Sequence, residues 1–595
     1  MSAPGDLAGR YLDLENAPFT FPGSRMLVVR DSAAVSVRLA EYERRLDDCV
    51  LIHQVRVFGQ DGLPVEVSGV WPDRIEFGSI TLTFDGPSAL SIGTAVRHGA
   101  NERWGLELRF TGSDDSGSGA AVAKVGVAAG TWTPALPSAP TASWVGTGVD
   151  DVAAHAEADE ETVVRLWLTG EQSAVRLAMD AEKAAPDHAA ALAATSAVWR
   201  EWFARCPRVR DDLREMTAFC WWVLGANIVT LTGRGDARAV VPSKIGYVGL
   251  WQWDAYFIAA GLRHGDPELA REQLDLALRF VAESGQLPDV VHDEGVLASS
   301  ADLPPADRET LRRAGSTIAD PTAPIPLTKP PLTAWALRSL EGRVDDPAWF
   351  DWAWDVVERS QEWWFRQADL DGDGMPEYGH PYSSGLDDSP IFDADLPVAS
   401  PDLAAYLIVQ DDLLAARFRA VGDISAAERH TARAQTTLQL LLEQMWDDDA
   451  GFFRSRGAGQ PIAAETAVSL LPLLTGRLPD RIIARMLEAL DDPHRFATPY
   501  AVPMVAVRDP NFSDERMWRG PVWVNVNALL AEGLAVSGHA ARGRELTEAT
   551  LRLLIEGGGA HEYFNPLTGA RARTATTSFG WSAALFVDLA VRVSA

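Results

Sequence analysis

The strongest constraint on this chain is a change of hydrophobic period part-way along it. From about residue 210 to the end, apolar residues recur every three to four positions, in roughly twelve helical segments with no strand-rich interval between them. The segments lie near 211–231, 251–264, 267–285, 331–342, 347–367, 401–421, 424–446, 463–475, 478–490, 521–537, 540–556 and 577–593. Asp266-Pro267, Asp346-Pro347 and Ser400-Pro401 each place a capping side chain before a proline at the first helical position. Twelve helices arranged as six hairpins make an (α/α)6 barrel, with function expected in the loops at one end. No fixed-period repeat is present, which argues against a regular solenoid.

The first part of the chain has a different period. Segments such as 25–30, 34–39, 50–58, 75–84, 105–110 and 162–168 are short, often alternating, and rich in Val, Ile, Thr and Phe. Gly, Asp and Pro separate them, a pattern that predicts an antiparallel β-sandwich. Residues 172–185 and 189–203 are Ala-rich with a helical period and predict a helical link. The expected organisation is therefore a multi-domain α and β chain. It has a β-sandwich over 1–175, a helical linker over 176–205 and an (α/α)6 barrel over 206–595.

Composition excludes several classes of function. A net charge of −30 opposes nucleic-acid binding, which needs a basic patch. Cys49, Cys206 and Cys220 have no metal-ligand spacing and are too few for a disulfide framework. The start of the chain lacks the basic and apolar runs of a signal peptide, and no apolar run is long enough to span a membrane. A cytoplasmic protein without membrane or nucleic-acid partners is expected. There are 21 Trp against 9 Tyr, and a surplus of flat indole faces suits a cleft that stacks on sugar rings.

Polar and aromatic residues crowd the helix junctions, above all in the loop from Asp369 to Pro390. Cleavage of a glycosidic bond needs one acid to protonate the leaving oxygen and one carboxylate to activate water or attack the sugar. Asp387, flanked by Asp388 and Asp393 in this loop, is the candidate acid, because crowding and desolvation keep a carboxyl protonated. Glu562, reached through Gly557-Gly558-Gly559, is the candidate partner. The plainer reading makes both surface carboxylates, among 83 acidic residues. Trp251, Trp253, Trp518, Trp523 and Trp581 are candidate sugar platforms; Trp349, Trp352, Trp363 and Trp364 have core spacing instead. Asp254 and Arg519, each beside a Trp, are candidates for hydroxyl recognition, and His561 for tuning Glu562. Asp369, Asp371 and Asp373, with the Met375 carbonyl and Glu377, have the alternation of a calcium loop. His380 stands where an EF-hand would close with Glu; the competing reading is a turn whose aspartates cap their own backbone. No phosphate-binding loop, nucleophile elbow or zinc cluster is present, and Asp387-Asp388 has too few nearby cations for a magnesium-diphosphate site.

Six stretches together resemble glycoside hydrolase family 63 and its trehalase-like clan. They are Gly249-Leu-Trp-Gln-Trp-Asp254, Lys329-Pro-Pro-Leu-Thr-Ala-Trp-Ala336, Asp369 to Tyr378, Ser384 to Pro390, Trp518-Arg-Gly-Pro-Val-Trp523 and His561 to Gly569. The resemblance implies inversion at an α-glycosidic bond, with Asp387 as general acid and Glu562 as general base. It implies a glycone site around Trp253, Asp254, Arg519 and Trp523; Lys329, Tyr382, Trp251, Trp518, His561 and Trp581 are the further candidate substrate contacts. It implies no cofactor for the chemistry, and a calcium ion on the Asp369 loop as in some members. The expected activity is that of an α-glucosidase on a small oligosaccharide or glucoside. The alternatives are a mannosyl- or glucosyl-glycerate hydrolase, an α-mannosidase-like enzyme, or a non-catalytic carbohydrate-binding protein. Lys329 stands where many relatives would carry Gln, and a cation there would favour a substrate bearing a carboxylate.

Overall fold

A computed structural model describes residues 3–94, 103–113, 122–124, 126–136, 139–156, 161–170, 172–180, 184–303, 324–393 and 396–595. It divides into two compact units, 1–230 with 243–248, and 231–242 with 249–595.

In the first unit, fourteen strands join one curled antiparallel sheet among the described residues, where two facing sheets were expected. The continuity comes from one long strand, Ala142–Ala156. Its first half pairs with both Gly126–Pro134 and Ala174–Ala178, and its second half with Glu161–Thr169. A register shift at Val149/Asp151 marks the change of partner, and such an irregularity lets a strand bend. Alternation places Leu106 and Leu108 in the core with Val55, Val57, Leu166 and Leu168. Glu107, on the opposite face, is buried against Arg165 and Arg109. The stretch expected to be one strand over 75–84 is two, Arg74–Phe77 and Ile80–Phe84, joined through Gly78.

The Ala-rich segment 172–185 departs from its predicted helix. Residues Ala174–Ala178 form a strand between Ala89–Thr94 and Ala142–Ala156, with Ala174, Val175, Leu177 and Ala178 all buried. The ladder bonds on both sides override alanine's helical preference. The helix begins later, at His188–Ala204, where Asp187 caps it. It packs on Arg214–Ala226 through stacked Trp202 and Trp221, each indole N–H donating to the other's backbone carbonyl.

The second unit is helical. Gln252–Leu262, Thr333–Leu340, Pro401–Val421, the 3-10 segment Ala467–Thr475, Val524–Val536 and Gly580–Ser594 each pack on the next, and the last packs on the first. Most residues of each are buried, and Pro401–Val421 becomes exposed only after Ala415. Pro267–Leu278, Pro347–Gln367, Ile424–Leu440, Asp480–Asp491 and Ala540–Glu556 bury one face only. Such one-sided helices belong outside a ring of fully buried ones. At the closure, a Cβ on Gly261 would lie 2.4 Å from the Ala584 carbonyl oxygen, so this helix crossing requires glycine. Arg263 and His264 then bind Asp588 at 2.6 and 2.7 Å.

Asp266 and Asp346 accept the caps predicted for them, from Leu269 and Trp349. Ser400 does not cap; its hydroxyl is bound to the Asp402 carboxylate instead. Pro472 lies inside Ala467–Thr475, where its missing N–H and its ring keep the turn from the α form. Trp349, Trp363 and Trp364 are buried, as their spacing predicts, whereas Trp352 is half-buried.

Candidate active site

The functional candidates share one topological position: each precedes, or opens, one of the six inner helices. Trp253 and Asp254 lie in the first turn of Gln252–Leu262, and Lys329 comes just before Thr333–Leu340. Asp387 precedes Pro401–Val421, Trp518 and Trp523 precede Val524–Val536, and Glu562 and Trp581 flank the start of Gly580–Ser594.

Asp387 projects from a tight turn. A four-residue helical turn, Pro381–Ser384, ends at Gly385 with φ +69°. A Cβ at Gly385 would lie 2.1 Å from the Trp253 ring, so the turn rests directly on that indole. Asp387 is reached by solvent although protein surrounds it on its other sides. Burial raises its pKa, Asp388 adds to the rise, and the Lys329 ammonium opposes it. Asp388 itself faces elsewhere, accepting from the Trp518 amide and the Arg516 guanidinium at 2.9 Å each.

Lys329 is the hub of the charged cluster. Its Nζ lies 2.6 Å from Asp289 Oδ1 and 2.6 Å from the Tyr382 carbonyl oxygen. Burial acts to lower its pKa, but Asp289, Asp387 and Asp254 together raise it above the ordinary value. Asp254 is driven well above the carboxylate range, by burial first and then by Asp289 and Glu562, against the pull of Lys329. His380 is held neutral, down at about 3, by burial and by Lys329. Glu562 is buried; its amide donates to the Thr576 carbonyl and its Oε2 accepts from the Thr576 amide, both at 2.9 Å. Asp387, Lys329, Asp254 and Glu562 thus form one chain of electrostatic neighbours.

The aromatic candidates pack on one another. Trp253 meets Trp581 edge-on at 5.2 Å and Trp518 at 6.0 Å, while Trp518 stacks on Trp523 at 3.6 Å. Trp523 also stacks on Tyr563 and donates to the Met517 carbonyl, and is 2% exposed, so it supports the wall instead of offering a platform. Trp251, Trp253, Trp518 and Trp581 are also buried, a stiff apolar surface with little open ring face. Arg519 is engaged bidentately by Asp393, which makes it a loop strap before it is a sugar ligand. His561 points to the Gly557 carbonyl at 3.1 Å and stacks near Phe564. The Tyr382 ring lies against His380.

The Asp369 loop combines both sequence readings. Asp369, Asp371 and Asp373 bring a carboxylate oxygen each within 4.8 Å of one another. The same aspartates accept from Gly374, Asp373 and Met375 amides, the pattern of nested turns. Asp369 Oδ1 is buried without a hydrogen-bond partner. Glu377 is buried nearby and pushed up to about 7, by burial and then by the three aspartates. An all-oxygen, strongly negative donor set of this kind suits a hard divalent cation.

A family model for the mannosylglycerate hydrolase MGH1-like glycoside hydrolase domain matches residues 247–582. The chain belongs to this family. It is thereby a glycoside hydrolase of family 63. Mannosylglycerate hydrolase from Rubrobacter radiotolerans is 28% identical, over 58% of this chain and 91% of that protein. Glucosylglycerate hydrolase from Mycolicibacterium hassiacum is 25% identical, over 60% of this chain and 95% of that protein. The solved mannosylglycerate hydrolase of Thermus thermophilus in complex with Tris and D-glycerate is 25% identical with a TM-score of 0.51, over 62% of this chain and 98% of that one.

Within this MGH1-like domain, two further residues hold the charged cluster together, and the sequence marks their stretches, Gly249–Asp254 and Gln286–Asp289, without singling out either residue. Gln252 accepts from the Lys329 amide and Thr328 hydroxyl, donates to Tyr256, and its amide binds the Asp289 carbonyl. Asp289 holds Lys329. Both sit at helix junctions, each a polar side chain beside apolar neighbours.

Proposed function

We propose that this glycoside hydrolase cleaves the α-glycosidic bond of a glycosyl-glycerate with inversion, Asp387 acting as general acid and Glu562 as general base. The observation that carries the assignment is the solvent-reached but enclosed Asp387, linked through Lys329 and Asp254 to the buried Glu562. A carboxyl kept protonated gives its proton to the leaving oxygen. The carboxylate across the site, oriented by the Thr576 amide, takes a proton from the attacking water. Inversion requires the two carboxyl groups about 6.5–9.5 Å apart, leaving room for that water. The aromatic wall of Trp253, Trp518 and Trp581 would shape the glycone site, with Asp254 meeting a hydroxyl.

The glycerate reading takes precedence over a plain oligosaccharide because relatives matched over nearly their whole length hydrolyse mannosyl- or glucosyl-glycerate. Lys329 alone does not supply the receptor for the glycerate carboxylate, since Asp289 already neutralises it. The ring of six buried helices with five one-sided helices outside it supports an (α/α)6 barrel. In such a barrel the inner helices run in one direction, so the junctions bearing the site open at one end. The Asp369 loop would hold a structural Ca²⁺ through Asp369, Asp371, Asp373 and Glu377, with the Met375 carbonyl as a further oxygen.

A substrate panel tests this reading. α-Mannosyl-glycerate and α-glucosyl-glycerate should be hydrolysed well above maltose and aryl α-glucosides. Asp387→Asn and Glu562→Gln should each lower turnover by about 10²–10⁴-fold with the fold retained. Equal rates on maltose would return the assignment to an oligosaccharide glucosidase, and near-parental activity in either variant would remove that residue from the chemistry.

A further inference from the structure

Lys329 raises a question of charge. A buried lysine 2.6 Å from a buried aspartate is a neutral pair, and burying it costs more than the equivalent apolar packing. Its location gives it a use. The ammonium also binds the Tyr382 carbonyl, which accepts from the Gly385 amide as well, so it grips the turn from which Asp387 projects. The Thr328 amide, one residue earlier, donates to Ser383 of the same turn. Gln252 fixes the Lys329 backbone from the other side.

We propose that Asp289 and Lys329 form a charge pair that positions the general acid Asp387 and sets the pH range over which it can donate its proton. The proposal rests on the reading of Asp387 as the acid. The groups facing this pair are few. Asp254 at the start of Gln252–Leu262 has its carboxyl pushed well above its ordinary value by burial, His380 is held neutral, and Asp388 is bound by Arg516. Glu562 acts on the cluster through Asp254. Lys329 is thus the cation that acts on Asp387, drawing it towards the ionised form, and Asp289 is the counter-charge that limits this pull. A general acid works only while protonated, so its loss of the proton forms the basic limb of the pH–rate profile. Removing the Lys329 charge should move that limb up, and removing the Asp289 charge should move it down.

The test is the pH dependence of kcat/KM on α-mannosyl-glycerate or α-glucosyl-glycerate for the full chain and three variants. Lys329→Met should shift the basic limb up by about one pH unit, and Asp289→Asn should shift it down, the scale expected for one charge beside a carboxyl. Lys329→Arg, which keeps the charge, should leave the limb near its parental position. A limb unmoved in Lys329→Met, moved equally in Lys329→Arg, or moved in the same direction in Lys329→Met and Asp289→Asn would overturn the proposal. Should Asp289→Asn not fold, the Met and Arg variants alone decide. Hydrolysis by the parent enzyme, and its loss in Asp387→Asn, tests the catalytic reading separately: a functioning parent whose limb ignores the pair rejects only the pair.

Discussion

At the scale of single residues, the proposed mechanism turns on how the Asp387 carboxyl is kept protonated and held in place. Burial raises the Asp387 pKa from its ordinary value, against the pull of Lys329. The basic limb of hydrolysis should therefore lie above the ordinary carboxylate pKa of about 4, and a limb at that ordinary value would contradict it. Gly385 holds the acid in place. Gly385→Ala would add a left-handed strain of about 1 kcal/mol and a ring clash with Trp253. Displacing Asp387 by even a fraction of an ångström should lower kcat about tenfold or more, and an unchanged kcat would show that the turn does not position the acid. Asp387 and Glu562 stand out in the sequence as carboxylates in polar helix junctions, and the structure links them through Lys329 and Asp254. The Asp289–Lys329 pair does not stand out, because its partners lie far apart in sequence and only the folded chain shows that they touch.

At the scale of elements, legibility follows local signals. The helices Pro347–Gln367 and Pro401–Val421 end where the sequence predicts, because proline starts them and their apolar stripes are unbroken. The segment 172–185 departs from its predicted helix because sheet pairing on both sides outweighs its alanine content. Ser400 fails as a cap because Asp402, two residues on, takes its hydroxyl. The Asp369 loop remains divided between a turn and a cation cradle on sequence alone, and its geometry carries both. Here thermal unfolding decides. Millimolar Ca²⁺ should raise Tm, a chelator should reverse the rise, and Asp371→Asn with Asp373→Asn should abolish it. A melting curve indifferent to Ca²⁺ and chelator would leave the loop a self-capped turn.

At the scale of the whole molecule, the change of period near residue 200 separates a sheet-rich part from a helical part, and both are present. Whether the sheet forms one layer or two was beyond the sequence, since it depends on how the long strand Ala142–Ala156 changes partner at Val149/Asp151. The ring of six buried helices follows from their nearly unbroken apolar runs, and the outer helices from one-sided ones. No helix among the described residues is long and apolar enough to cross a membrane. A net charge of −30 would repel the proposed glycosyl-glycerate at low salt, so kinetics belong near 0.15 M salt, where the Debye length is about 8 Å.

The central claim is water attack opposite a protonated leaving group, and the anomer released first tests it most directly. Proton NMR during the first minutes of α-mannosyl- or α-glucosyl-glycerate hydrolysis should show the β-sugar appearing before mutarotation. Initial release of the α-anomer would mean retention through a covalent intermediate, and would contradict the assignment of Glu562 as a base.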